Sequence, residues 1–357
     1  MPTISLKTLR EFAFSRTLFA PTDLPNALHR LGFVQIDPIN APASAQDLIL
    51  RHRVDAHQKG DMARFYPDLA VEEAYFVNHG YVPKSIAGML YSNKPHSQYL
   101  LNHAEQVAQI LQYAQDNIEV HPKLLNQHIG HQTVKNNWGG AGLQATQTVQ
   151  RMHNHGMLRI VRRDKNTRVY GLRLAAADVS LEAMIEAAFA LLLRTYAPLT
   201  AASMTYLGRL LAHGRPDAKA QIKQALARLS DDFAYADVDG VRWFWPRDES
   251  LHATVDDKVR LFTPFDPLVW DRARFETFWG WTYKFEAYKP ANLRQFGYYA
   301  LPLFWRDDCI GWGNVSVVDG RLQVDLGYVR GAPSDKRYKI ELESELMRLA
   351  QFLRCEL

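Results

Sequence analysis

Apolar and polar residues alternate along this chain in two periods, and the period changes near residue 255. In the first part, Leu6, Leu9, Arg10, Phe12, Ala13 and Arg16 recur at helical spacing and predict a helix over 4–19, with Ser5 as its cap. The turn Pro21-Thr22-Asp23 leads into a short helix from Leu24 to Leu31, stopped at Gly32. The run Leu31-Gly32-Phe33-Val34-Gln35-Ile36-Asp37-Pro38-Ile39-Asn40 reads as a strand. Its alternation sends Gln35 and Asp37 to one face and Ile36 to the other, about 7 Å apart by the rise per residue. Pro38 lacks an amide hydrogen and should end the pairing there. A third helix is predicted over Ser44 to His52, giving a helix-turn-helix core, and 61–92 reads as mostly helical.

Residues 105–174 predict helices over Gln106 to Asp116, His121 to Gly130 and Leu143 to His155. A hairpin follows, Met157 to Arg163 and Arg168 to Leu172, turning at Asp164-Lys165-Asn166-Thr167. Three helices followed by a basic hairpin is the order of a winged helix, whose third helix meets DNA and whose hairpin is the wing. Residues 180–246 repeat that order. Leu181 to Leu193, Pro198 to Leu211 and Asp217 to Leu229 are helical, and 233–245 is a hairpin turning at Asp239-Gly240. From about 255 the pattern becomes aromatic and strand-like: Tyr298 to Trp305, a turn at Asp307-Asp308, Cys309 to Val318, and Arg321 to Tyr328 after Asp319-Gly320. A helix, Glu341 to Cys355, comes last. The expected fold is α+β: tandem winged-helix units with a β-rich C-terminal part. Its segments are 1–103, 104–178, 179–250 and 251–357.

The 357 residues are 47% hydrophobic and 22% charged, ordinary values for a soluble globular protein. No apolar stretch approaches the ~20 residues that span a bilayer, and Met1 to Lys7 lacks the layout of a signal peptide. Cys309 and Cys355 form neither a disulfide framework nor a metal spacing, which points to a reducing cytoplasm. The net charge of +4 is mild, so its distribution carries the argument. In the hairpin region Arg151, Arg159, Arg162, Arg163, Lys165, Arg168 and Arg173 face only Asp164 in sequence. Such a hairpin can meet phosphates without reading bases, although a solvated hairpin has the same composition. Arg159, Arg162, Arg163, Lys165 and Arg168, together with Arg51, are the candidate DNA contacts. Asn136-Asn137-Trp138-Gly139-Gly140, before the third helix of the second unit, reads as a loop or as a phosphate-binding helix start.

His121, His128, His131, His153 and His155 lack a His-Glu-x-x-His or Cys-x-x-Cys setting, so neither a metal nor a cofactor is expected. No glycine-rich phosphate loop and no Gly-x-Ser-x-Gly elbow is present. Gln35-Ile36-Asp37 taken alone is a weak signal and reads first as the solvated face of a strand. Asp266 and Asp271 would suit a metal-dependent nuclease, but Pro264-Phe265-Asp266-Pro267 also reads as a structural turn.

The segment 31–40 and Phe262-Thr263-Pro264-Phe265-Asp266-Pro267-Leu268-Val269-Trp270-Asp271-Arg272 resemble the bacterial winged-helix DNA glycosylases of the YcaQ/AlkX type. So do Tyr283-Lys284-Phe285-Glu286-Ala287-Tyr288 and Gly297-Tyr298-Tyr299-Ala300-Leu301-Pro302-Leu303. That family unhooks DNA interstrand crosslinks. The resemblance implies tandem winged helices around a DNA-binding concavity. It also implies a catalytic pair, Gln-x-Gln in one branch and Gln-x-Asp in the other. Gln35 and Asp37 match the second branch, associated with N7-alkylated purines and nitrogen-mustard-type crosslinks. Tyr75-Phe76-Val77-Asn78-His79 departs from the family's Tyr-Trp-x-His pattern, so no role passes to it. The expectation is a monofunctional glycosylase acting on double-stranded DNA, with Asp37 and Gln35 catalytic. It would be a monomer in the cytoplasm, on the nucleoid. The alternative is a winged-helix regulator without catalysis.

Overall fold

A computed structural model describes residues 4–91, 94, 97–135, 141–165, 167–173 and 178–357. The Asn136–Gly140 stretch and Asn166 lie outside the described residues. The fold mixes helices with several small antiparallel sheets. Contacts divide the chain into two compact units. One comprises Met1–Met62, Phe189–Arg209 and Gln224–Leu357; the other comprises Ala63–Ala188 and Leu210–Lys223.

In the first unit the N-terminal helices form close to where the periodicity puts them. Leu6–Thr17 starts at a capping box in which Ser5 and Thr8 satisfy each other's backbone amides. Leu24–Leu31 is capped by Asp23 and ends at Gly32. Gly32 has φ +77°, and a Cβ there would come within 2.6 Å of Leu191, so this turn both needs the left-handed region and is packed shut. The strand that follows is shorter than expected. It covers only Val34–Gln35, and Ile36 and Asp37 lie beyond it. The reason is local. The Asp37 carboxylate accepts the Ile39 amide at 2.9 Å, and Pro38 between them offers no donor, so the chain turns instead of pairing. Ser44 caps the helix Ala45–Leu50.

The C-terminal part is a four-stranded antiparallel sheet. Its order is Val259–Leu261, Leu301–Trp305, Asp308–Val318, Arg321–Tyr328, and the helix Lys336–Leu353 packs on it. Three strands agree with the alternation; Val259–Leu261 is too short to be read from it. The first turn falls at Arg306-Asp307 rather than Asp307-Asp308, since Trp305 pairs with Asp308. Asp319-Gly320 turns with φ of +50° and +78°, as a two-residue hairpin requires. The helix Arg272–Trp279, capped by Asp271 and closed by Gly280, has no counterpart in the expected pattern. The first unit also holds the strand Leu199–Thr200, which pairs with Val241–Trp245, and that strand pairs with Ala234–Val238. Pro198 therefore opens a short strand before the helix Ala201–Gly214 begins.

In the second unit the mostly helical expectation for 61–92 fails in the middle. Val71–Tyr75 and His79–Pro83 form a hairpin with Tyr75 opposite His79. Val71, Glu72, Glu73 and Ala74 on one strand and Gly80, Tyr81 and Val82 on the other are all buried, so no alternation marks these strands. Downstream, Ala104–Asp116, Pro122–Ile129 and Gln144–Asn154 are helices, and Leu158–Asp164 pairs with Thr167–Leu172. Val120 adds a bridge to Tyr170, making a third, one-residue strand beside the hairpin.

Candidate active site

The four segments that carry the family resemblance converge within the first unit. Phe33 and Val34 are buried and anchor the strand, leaving Gln35 only 7% exposed. Its Oε1 is buried and, among the described residues, has no hydrogen-bond partner. Such an atom costs about 1–3 kcal/mol, so its retention calls for a reason. Asp37 is half-buried, two residues on. Burial raises its pKa above the ordinary aspartate value, and the Ile39 amide offsets part of that rise.

Beyond Asp37 the chain enters the core. Ile39, Ala41 and Ala43 pack with Tyr299, Phe265 and Phe285 against the C-terminal sheet. The rings of Phe265 and Phe285 lie 5.2 Å apart, and Phe285 meets Tyr299 edge-on at 5.5 Å. The Tyr299 hydroxyl is 3.0 Å from Thr263 Oγ1. Burial pushes this phenol up; the hydrogen bond with Thr263 offsets part of that rise, and the negative charge of Asp37 adds to it. Gly297 has φ +123°, and a Cβ there would run into Asn314 Oδ1, whose amide holds the Phe296 carbonyl at 2.8 Å.

The remaining motif residues are scaffold. Arg53 and Asp266, both completely buried, share hydrogen bonds of 2.7 and 3.0 Å. Arg53 also donates to the carbonyls of Thr17 and Ile49, tying two N-terminal helices to the Phe-Asp-Pro turn. Asp271 caps Arg272–Trp279 and accepts the Ser203 hydroxyl. Both aspartates are thus engaged, as a structural turn requires and a two-carboxylate nuclease centre does not. Glu286 is buried and accepts the amides of Gln295 and Phe296 at 2.7 and 2.8 Å, shaping the loop ahead of Gly297.

The candidate DNA contacts fare unevenly. Arg51 is a correction: its side chain is 3% exposed and donates to Glu345 and to the Leu261 carbonyl, so its charge is spent inside the fold. In the second unit the hairpin is far less cationic than its sequence. Glu73, fully buried, accepts Arg163 at 2.6 Å, Arg168 at 2.9 Å and His79 at 2.6 Å. Burial alone would raise Glu73, but His79 and Arg163 outweigh it and hold it far below the ordinary glutamate range. Arg162 pairs with Glu119 at 2.6 Å and Arg173 with Glu72 at 2.5 Å. Arg159 and Lys165 make no ion pair among the described residues, and Lys165 is exposed. The neutralising carboxylates come from 43 to 101 residues away, which no local reading could see. Tyr299, Thr263 and Arg53 carry no sequence signal as site or support residues beyond the place of Tyr299 and Thr263 in the family motifs.

A solved structure shares this fold over nearly its whole length. Streptomyces sahachiroi DNA glycosylase AlkZ superposes with a TM-score of 0.63, covering 98% of this chain and 97% of that one at 14% identity. The model of one family, described as DNA glycosylase AlkZ-like, matches residues 28–352. The protein is therefore an enzyme of DNA repair, a DNA glycosylase. More narrowly, the chain belongs to the AlkZ-like DNA glycosylase family. That membership sets aside the reading as a regulator without catalysis. Among the described residues no helix is long and apolar enough to cross a membrane.

Proposed function

We propose that this enzyme hydrolyses the N-glycosidic bond of N7-alkylguanine in double-stranded DNA, including guanines joined in interstrand crosslinks. The observation that carries the reading is the pair itself: a half-buried carboxylate, Asp37, and a buried amide oxygen on Gln35 with no partner among the described residues. An N7-alkylated guanine is already cationic, so it departs as a neutral base when the C1′–N9 bond breaks. The sugar is left with oxocarbenium character. The Asp37 carboxylate supplies a negative charge to stabilise that cation, and it accepts the proton of the water that adds to C1′. Gln35 Oε1 supplies an acceptor that holds this water. A base tied to the opposite strand cannot swing into a closed pocket, which favours a site at the edge of a turn over a deep cavity.

Within 104–178 three helices, with the paired strands Thr133–Lys135 and Ala141–Leu143 ahead of the third, lead into a hairpin, and within 179–250 a helix, a short strand, further helices and a hairpin follow in order; both runs are read as winged helices. Arg159, Lys165 and the outer edges of Arg162, Arg163 and Arg168 serve as phosphate contacts. The enzyme acts as a monomer, in the cytoplasm and on the nucleoid. The test is incubation with N7-methylguanine DNA or a nitrogen-mustard crosslink in EDTA, followed by alkali. Alkali-labile abasic sites and unhooked strands are expected, with no nick before alkali and no borohydride-trapped adduct. Absence of product on both substrates would sink the lesion assignment.

A further inference from the structure

The first unit contains a cleft of about 1130 Å³, partly open to solvent, whose lining includes neither Gln35 nor Asp37, and neither Thr263 nor Tyr299. Seven arginines and lysines line it against two carboxylates. Most of these cations are accounted for. Arg16 is held by Glu249 at 2.8 Å, Arg260 by Asp256 at 2.6 Å, and Arg51 and Arg348 share Glu345 from behind the wall. Three remain: Arg30, Arg194 and Lys258. They are exposed, and among the described residues none pairs with a carboxylate. They come from three separate elements: the helix Leu24–Leu31, the helix Leu181–Tyr196 and the segment before Val259–Leu261.

Arg30 lies over the Phe19 ring at 4.0 Å, which fixes its guanidinium at the rim without neutralising it. Phe12 and Phe14, at 3% and 2% exposure, are the buried apolar part of the lining. In the hairpin of the second unit four of the cations, Arg162, Arg163, Arg168 and Arg173, are matched by carboxylates. At the cleft three cations scattered through the sequence gather without a carboxylate partner among the described residues.

We propose that this cleft is an anchoring site for the sugar–phosphate backbone of DNA, apart from the residues that break the glycosidic bond. Its volume exceeds the roughly 300–1,000 Å³ of a small-molecule pocket, and a chain of phosphates fits separated, unpaired cations better than one compact anion does. The same chemistry would take a free polyphosphate, so the experiment includes both. The anchor needs no lesion. Its test is read on undamaged DNA and stands or falls separately from the N7-alkylguanine assignment.

The measurement is fluorescence anisotropy with an undamaged 24-base-pair duplex over a salt series, comparing wild type, Arg194→Glu/Lys258→Glu and the control Lys339→Glu on the C-terminal helix. The double variant should bind roughly 10-fold more weakly at low salt. Its log–log salt slope should be shallower by about 2, since each phosphate left unneutralised takes about 0.9 from the slope, while the control follows wild type. Circular dichroism checks folding; if the reversal unfolds the protein, Arg194→Gln and Lys258→Gln are read singly for the smaller shift in the same direction. Wild-type affinity and slope in the folded variants would overturn the proposal. So would tripolyphosphate binding that the variants lose while duplex binding is unchanged.

Discussion

Asp37 Oδ1 accepts the Ile39 amide at 2.9 Å, across a proline that can donate nothing. The bond fixes the carboxylate where the chain leaves its two-residue strand and occupies one of its two oxygens. Asp37→Asn retains an acceptor for Ile39 and removes only the charge. Its fold should persist, with an unchanged thermal midpoint, while the single-turnover rate on N7-methylguanine DNA falls ~10²–10⁴-fold. Because burial raises the Asp37 pKa, the acid limb of the wild-type rate profile should have its midpoint above the ordinary aspartate value of 3.8. A variant of full activity would remove Asp37 from the mechanism.

The unpartnered Oε1 makes Gln35 a place where stability and activity should part. Gln35→Met keeps the length of the side chain and deletes the orphaned polar atom. We expect a gain of about 1 kcal/mol in urea denaturation alongside a rate loss of at least tenfold. Loss of both stability and activity would mean that Gln35 serves the scaffold.

His153 is buried, with Nε2 on the Glu73 carbonyl at 3.1 Å and Nδ1 lacking a partner among the described residues. Burial, and then the charge of His79, push its pKa down to about 3 from 6.5. The unfolded chain therefore takes up a proton near 6.5 that the folded chain refuses, and stability falls as pH drops from 6.5 toward 3. Glu73, held low, adds a loss of the same sign only below about 4.5. His52, also kept neutral by burial, contributes in parallel, so the difference between wild type and His153→Gln isolates the effect. Between pH 6.5 and 4.5 the variant should lose less stability by up to about 1.4 kcal/mol per unit. Parallel pH curves from urea melts would show that His153 titrates normally.

Arg163 on the strand and Lys165 at the turn, two residues apart in sequence, should behave as different kinds of residue. Arg163 neutralises the buried Glu73, and Arg163→Ala should destabilise the protein by ~1–3 kcal/mol, since His79 and Arg168 still hold the carboxylate. Lys165→Ala, at an exposed turn, should leave the melting temperature within error and lower duplex affinity modestly, with a salt slope shallower by about 1. Equal effects of both variants on melting would contradict this division.

Local patterns determined much of the molecule. Ser5, Asp23 and Ser44 cap helices, Gly32 and Gly130 end them, and Asp239-Gly240 and Asp319-Gly320 turn hairpins. These features depend on a few consecutive residues, so a single sequence reveals them. The motif residues Gln35 and Asp37 were legible too, through resemblance rather than spacing, because a two-residue strand leaves too little alternation to read. Tertiary structure alone decided which charges remain free. Arg51 is paired with Glu345, and Arg163 and Arg168 share Glu73, while Arg30, Arg194 and Lys258 are left together at a cleft. It also buried Gln35 Oε1 without a partner among the described residues. Burial and long-range ion pairing join residues tens to hundreds of positions apart, so neither periodicity nor composition can encode them locally.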